Sequence, residues 1–321
     1  MKKELKFALY AIKKNIQSSA ELRTSFLMNI VGMAINNIAF IIIWMFLIKS
    51  VGVIGGWTAM DIVGLQGFIA LSYGTILSTA NGLRKIADYT ASGALDRFML
   101  SPKNLLIRIA TSSFGVSAIG DVVFGIVCMV IYSFAISASI SQIFLVLLLL
   151  IISTITFLSM IILIYSTSFF FTDANTVTSG IFELFFTPAL FHGGAFQGVM
   201  RFVFTFFIPS LLIGTLPVEI VRNISLDKLL LLIILTIFWF IFSIFIFNRA
   251  VRRYESSNFM TFGNFSYLTF AKGGYIIRTR PMAMGIFVVP ELSEFQKPEI
   301  PGIKYPIITP ENMTRNIHSV R

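Results

Sequence analysis

Residues 26–48, FLMNIVGMAINNIAFIIIWMFLI, decide how this chain is read. As a helix these 23 residues rise about 35 Å, enough to cross a hydrocarbon core of about 30 Å. Working outward, comparable apolar runs recur at about 62–83, 107–134, 143–171, 177–191 and 228–247. The sequence therefore predicts an all-α polytopic membrane protein with six transmembrane helices. Hydrophobic residues make up 56% of the chain and charged residues 12%, and mean hydropathy is +0.85. A water-solvated domain carries nearer one quarter charged residues, so a soluble core is excluded on composition.

The net charge of +10 does not form the basic stripe of a nucleic-acid binder, because its residues flank the apolar runs. Lys2, Lys3, Lys6, Lys13, Lys14 and Arg23 precede the first run, and Arg84, Lys85, Arg97, Lys103 and Arg108 follow the second. Arg249, Arg252 and Arg253 follow the sixth, against only Lys49, Arg201, Arg222 and Lys228 on the alternate loops. The orientation rule for basic residues then puts both ends in the cytoplasm. Cys128 is the single cysteine, so no intrachain disulfide marks an oxidising compartment. The charged start lacks the form of a cleaved secretory leader and reads as part of the mature chain.

Residues 2–19 read as an amphipathic helix lying in the membrane interface. Leu5, Leu9, Ile12 and Ile16 recur at steps of three and four opposite the lysines. The second run carries Gln66, Ser72, Tyr73, Ser78, Thr79 and Asn81, which suit contact with other helices and not lipid. Residues 193–227 are apolar but broken by Gly193, Gly194, Gly198, Pro209, Gly214 and Pro217. Prolines there free backbone groups that protein or water must satisfy, so the segment is predicted to line a cavity or interface. Residues 1–254 form the membrane domain. Residues 255–321 hold six of the ten prolines and read as a cytoplasmic tail, disordered or with a small hairpin across Lys272–Gly273–Gly274.

Catalytic chemistry has little support. His192 and His318 have no ligand-spaced partners, and GxxxxGK[ST], GxSxG and HExxH are all absent. Neither a resident metal nor an enzyme is expected. Asp121 lies inside the third run, where a carboxylate at the bilayer centre costs about 2.5–3.5 kcal/mol. It is expected to contact substrate, or to be protonated or paired with a polar group of the second run. Glu183 is expected near the cytoplasmic end of the fifth.

The insertion RKIADYTASGALDRFMLSPKN at 84–104 is the strongest functional segment. Its helix-like alternation breaks at Ser92–Gly93 and resumes at Ala94, Leu95, Asp96, Arg97, Phe98, Met99 and Leu100 before Pro102 stops it. A short helix held between two spans can transmit a push from a soluble partner. Leu95, Phe98 and Met99 are expected in that partner's groove, with Asp96 and Arg97 setting register.

The basic amphipathic lead, six spans, Gly93-Ala94-Leu95-Asp96 with Pro102, and the pair Pro209 and Pro217 together resemble one family. It is the integral-membrane permease subunit of bacterial type-2 ATP-binding-cassette (ABC) exporters, in the six-span branch with a separate ATPase subunit. The resemblance covers about residues 1–254. It implies that the 84–102 segment is the coupling helix that docks on the ATPase and that the N-terminal helix is an interfacial elbow. It implies that 193–227 forms re-entrant helices on the outer side. It further implies an ABC ATPase partner holding ATP and Mg, a second permease copy or a related permease, surrounding lipids and a bacterial plasma membrane. The expected activity is ATP-driven export of a hydrophobic or amphiphilic substrate. Two rivals stand beside it. An ion-gradient-driven secondary transporter calls for more intramembrane ionisable groups than Asp121, or an internal repeat. A non-transporting anchor or sensor calls for neither.

Overall fold

The computed structural model describes residues 2–51, 56–171 and 173–254, and every described element is helical. The expected tail hairpin lies outside the described residues. Helix α1 spans Lys2–Ala20, α2 Arg23–Val51 and α3 Ala59–Ala80. After a 3-10 stretch at Asn81–Lys85 come α4 (Ile86–Ala91), α5 (Leu95–Met99) and α6 (Leu105–Ala110). Then follow α7 (Ala118–Ala135), α8 (Ile140–Ser166), α9 (Ala174–Ala189), α10 (Gly198–Phe202), α11 (Thr215–Arg222) and α12 (Leu226–Val251).

Among the described residues five helices are long and apolar enough to cross a membrane, against the six expected. The exception is α9. Its 16 residues rise only about 24 Å, with Pro188 in the last turn and Leu190–Phe191 leaving the helix behind. The predicted third span is also divided. Helix α6 stops at Ala110 because Thr111 and Ser112 hydroxyls bond back to the Ile107 and Ile109 carbonyls (2.8 and 2.7 Å). The chain then turns through Gly115, whose N–H donates to the Leu77 carbonyl (3.0 Å), before α7 begins.

Helix α3 is the centre of the bundle because each of its faces is built for a different neighbour. Small residues bring α7 into backbone contact. A Cβ on Gly74 would lie 2.8 Å from the Ala118 carbonyl oxygen, and one on Gly125 2.8 Å from the Leu71 nitrogen. Van der Waals packing of this kind replaces the hydrophobic drive that lipid cannot supply. Its N-terminus is fixed by a capping box between Thr58 and Asp61. Helices α8 and α12 pair through buried Thr156 and Thr236, whose hydroxyls are 2.8 Å apart.

Helix α2 stays at the rim, with Leu27, Met28, Ile35, Ile42, Ile43 and Phe46 exposed. Helix α1 docks by Phe7 and Asn15, with Lys3, Lys6, Lys13 and Lys14 exposed: Asn15 Nδ2 donates to the Thr111 carbonyl (2.9 Å) and the Lys103 ammonium sits 3.8 Å from the Phe7 ring centroid. Its predicted stripe faces away from the bundle, leaving Leu5 and Leu9 about three-fifths exposed (63% and 60%).

Candidate functional site: the seam between α3 and α9 and the segment after α3

Helices α3 and α9 run antiparallel, and two side chains of α3 and one from the 3-10 stretch after it meet α9 in reverse order. Gln66 Nε2 donates to the Leu190 carbonyl (3.2 Å). The Tyr73 ring lies 5.2 Å from Phe186 and 5.7 Å from Phe157 of α8. Arg84, one turn beyond α3, holds its guanidinium 5.3 Å from the Phe182 ring centroid. The step from 66 to 73 is two helical turns and keeps Gln66 and Tyr73 on one face of α3, while the 3-10 stretch that follows brings Arg84 back beside Tyr73. Arg84 Nε donates to the Tyr165 hydroxyl (3.2 Å) and Nη1 to the Tyr73 hydroxyl (3.3 Å). Gln66 and Tyr73 were legible as bundle-facing residues; Arg84 and Tyr165 were not. Arg84 read only as one more basic residue on a basic loop.

Asp121 takes its hydrogen bond outside that seam, though its charge reaches Tyr73. It is buried in the first turn of α7 and accepts a hydrogen bond from Asn37 Nδ2 of α2 (2.7 Å). Its partner therefore comes from the first span and not the second, because Gly120 lets α2 approach α7 closely. A Cβ there would lie 2.5 Å from the Ile30 carbonyl oxygen. Glu183 is the tenth residue of α9 and exposed, so it sits mid-helix and not at the end expected. Thr187 Oγ1 donates to it (3.3 Å).

The broken segment after α9 is held by charge. Glu219 of α11 accepts from Arg201 (2.8 Å) and Lys228 (2.9 Å), while Arg222 pairs with Asp61 (3.2 Å) and donates to the Gly56 carbonyl (2.8 Å). Pro209 ends a π-helical stretch at Val203–Phe207, and Pro217 sits in the first turn of α11, where no intrahelical N–H bond is lost. An apolar cavity of about 260 Å³ opens between α8, α9 and this segment, lined by Met160, Ile164, Leu184, Phe185, Phe207 and Ile208 among others. Burial lowers the pKa of His192, which packs against Trp44 and Trp57 where α9 has ended. No group of three His, Cys, Asp or Glu able to hold a metal ion occurs among the described residues.

A family model described as ABC-2 family transporter protein matches residues 34–258. The chain belongs to this family. No curated protein and no solved structure matches the chain.

In this ABC-2 transporter the segment after α3 is two short helices, α4 and α5, joined at Gly93. Gly93 has φ +68°, a left-handed conformation that glycine adopts without steric cost. Leu95 is fully buried, which corrects its expected place in a partner's groove. It points back into the bundle's own core because the turn at Gly93 rolls α5 onto the membrane domain. Phe98 is half-buried too, its ring 5.1 Å from Tyr89, with Arg108 packed over it and donating to its carbonyl oxygen. Asp96 is half-buried, while Arg97, Met99 and Leu100 are exposed, Leu100 at 86%. Asp88 of α4 accepts from Asn175 at the start of α9 (2.9 Å). Pro102 lies in the bend before α6, which Asn104 caps by accepting from the Ile107 N–H (3.2 Å).

Proposed function

We propose that this ABC-2 permease works as the membrane subunit of an ATP-driven exporter and that an ABC ATPase docks on α4 and α5. The observation that carries the reading is the division of α5 into a buried and an exposed side. Leu95 is keyed into the core while Arg97, Met99 and Leu100 face outward. A load applied to the outer side reaches the bundle through Leu95, and reaches α9 through the bond from Asn175 to Asp88. ATP and Mg belong to the ATPase, and this chain supplies the docking surface and the path. Closure of the ATPases moves α5 as a lever and biases the bundle between two states, which is what differential binding to a bistable element requires.

A second permease copy, or a related permease, covers the face of α9 that bears Glu183 and Leu184. What supports this is an exposed carboxylate beside an exposed leucine midway along α9, a pairing that would be costly against lipid. The seam at Gln66 and Tyr73 belongs to the substrate path, and the aromatic character of that seam suits a hydrophobic or amphiphilic cargo. The protein resides in a bacterial plasma membrane with its basic side, and both termini, in the cytoplasm. The exposed stripe of α1 lies in the inner interface with lysines toward anionic headgroups.

Co-purification tests the coupling. A tagged chain in mild detergent is expected to retain an ABC ATPase subunit. The double variant Arg97→Glu, Leu100→Asp loses at least about tenfold of it, the equivalent of about 1.4 kcal/mol at the interface. Size-exclusion behaviour stays unchanged. Full ATPase recovery with the double variant overturns the assignment of α5.

A further inference from the structure

We propose that Arg84 is the headgroup site for an anionic amphiphile, with phosphate or phosphodiester chemistry, at the inner end of the seam between α3 and α9. The proposal deepens the transport reading by naming the class of cargo, and rests on it for the word cargo alone.

Arginine carries five N–H groups and stays charged. Two are used here, at 3.2 and 3.3 Å, and both go to neutral phenolic oxygens. Among the described residues no carboxylate lies within ion-pair distance of Arg84, and neither Nη2 nor the second Nη1 hydrogen has a protein partner. Asp88 accepts from Asn175, Glu183 from Thr187 and Asp121, whose charge reaches Tyr73, from Asn37. A half-buried cation without a counter-ion is costly to keep in a bundle, and a guanidinium fork with free parallel donors matches two oxygens of one oxyanion.

The surroundings give the rest of the ligand. Tyr73, Tyr165 and Phe182 hold the guanidinium in place, so its free edge is oriented before any anion arrives. From Phe182 an aromatic strip continues along α9 and α3. Phe182 stacks on Phe186 at 5.3 Å, and Phe186 meets Tyr73, which with Phe186 is only partly buried. The positive charge thus stands at the basic end of the bundle, with an apolar track leading from it toward the membrane interior. That order, charge at the interface and apolar surface inward, is complementary to a lipid-like anion lying in the inner leaflet. It does not suit a free anion, which has no use for the track.

The test is site-resolved labelling of the full-length permease alone in phosphatidylcholine nanodiscs, so an ATPase that fails to dock leaves the readout intact. A phosphatidylglycerol carrying a photoactivatable acyl chain is cross-linked and the adducts are mapped by mass spectrometry. Adducts are expected on α9 peptides at Phe182–Phe186, at several times the level given by the matching phosphatidylcholine probe. Arg84→Gln lowers the α9 adducts about tenfold, the scale of one charge-assisted contact, while adducts on α1 do not change. Arg84→Lys retains a reduced preference, because charge without the fork remains. In the unaltered protein, unlabelled phosphatidylglycerol competes for the α9 adducts and inorganic phosphate does not, a comparison that needs no variant to fold. Equal labelling by the two probes overturns the proposal, as does an Arg84→Gln profile like the wild type. Displacement by inorganic phosphate alone also overturns it, by making the ligand a free anion.

Discussion

Gly82 shows how much a single position carries in this bundle. It lies in the 3-10 stretch after α3, and a Cβ there would run into the Ile109 carbonyl oxygen and the Ser112 hydroxyl of the chain opposite. The Ile109 carbonyl and the Ala110 carbonyl behind it are backbone, so the chain itself would have to move. Gly82→Ala is expected to cost about 1–3 kcal/mol and to lower the melting temperature in detergent. Gly180→Ala, where nothing lies within 4 Å of the added carbon, serves as the control and is expected to leave that temperature unchanged or raise it. His192 makes a different kind of prediction. Burial against Trp44 and Trp57 lowers its pKa, and its Nδ1 has no hydrogen-bond partner among the described residues. The unfolded chain therefore binds the proton more readily than the folded one. Stability is full above the unfolded value of about 6.5 and falls as the pH drops through the lower folded value. His192→Gln should flatten that acid-side decline in a melting series from pH 7 downward, and an unchanged slope would assign the decline to other groups.

Among the elements, α11 depends most on its charges. Four of its eight residues, Leu216, Val218, Ile220 and Val221, are buried aliphatics, yet it follows a break at Pro209 and Gly214 that leaves it without a continuous helix to lean on. Glu219 ties it to α10 through Arg201 and to the first turn of α12 through Lys228. Glu219→Gln removes both ion pairs while keeping the shape. Because both cations are about two-fifths exposed (39% and 41%), the stability cost is expected to be only about 1 kcal/mol. Hydrogen exchange at residues 198–222 should rise locally, with α8 and α12 unaffected. Uniform exchange across the molecule would mean that the ion pairs do not hold this segment in particular. The same logic separates α5 from an ordinary loop. Its buried Leu95 makes it part of the bundle, whereas Leu100, just past its end, is exposed.

At the scale of the whole molecule, the prediction is one of sidedness. The orientation rule applied to the basic residues after α3 predicts α4 and α5 in the cytoplasm, and the proposed ATPase contact needs them there. Ser92 is exposed at the turn between the two helices, and the native Cys128 is buried. Ser92→Cys should thus resist a membrane-impermeant thiol reagent in intact cells and react once the cells are opened. Reaction in intact cells would place the turn outside and end the docking proposal.

What the sequence determined by itself was whatever depends on composition and on signals within one segment. The membrane solvent, the all-α class, the amphipathic lead, the basic side and the break at Ser92–Gly93 belong there, because lipid leaves the backbone few options and each signal is read along one helix. The tertiary structure decided what depends on a neighbour. It set the bounds of α9 at Ala174–Ala189 and moved Leu95 from a partner's groove into the core. It took the partner of Asp121 from α2, and it separated Arg84 from the other basic residues by surrounding it with Tyr73, Tyr165 and Phe182. Those outcomes turn on which helix faces meet, and a carboxylate or guanidinium has the same letter in a sequence whether it meets water, an amide or an aromatic ring.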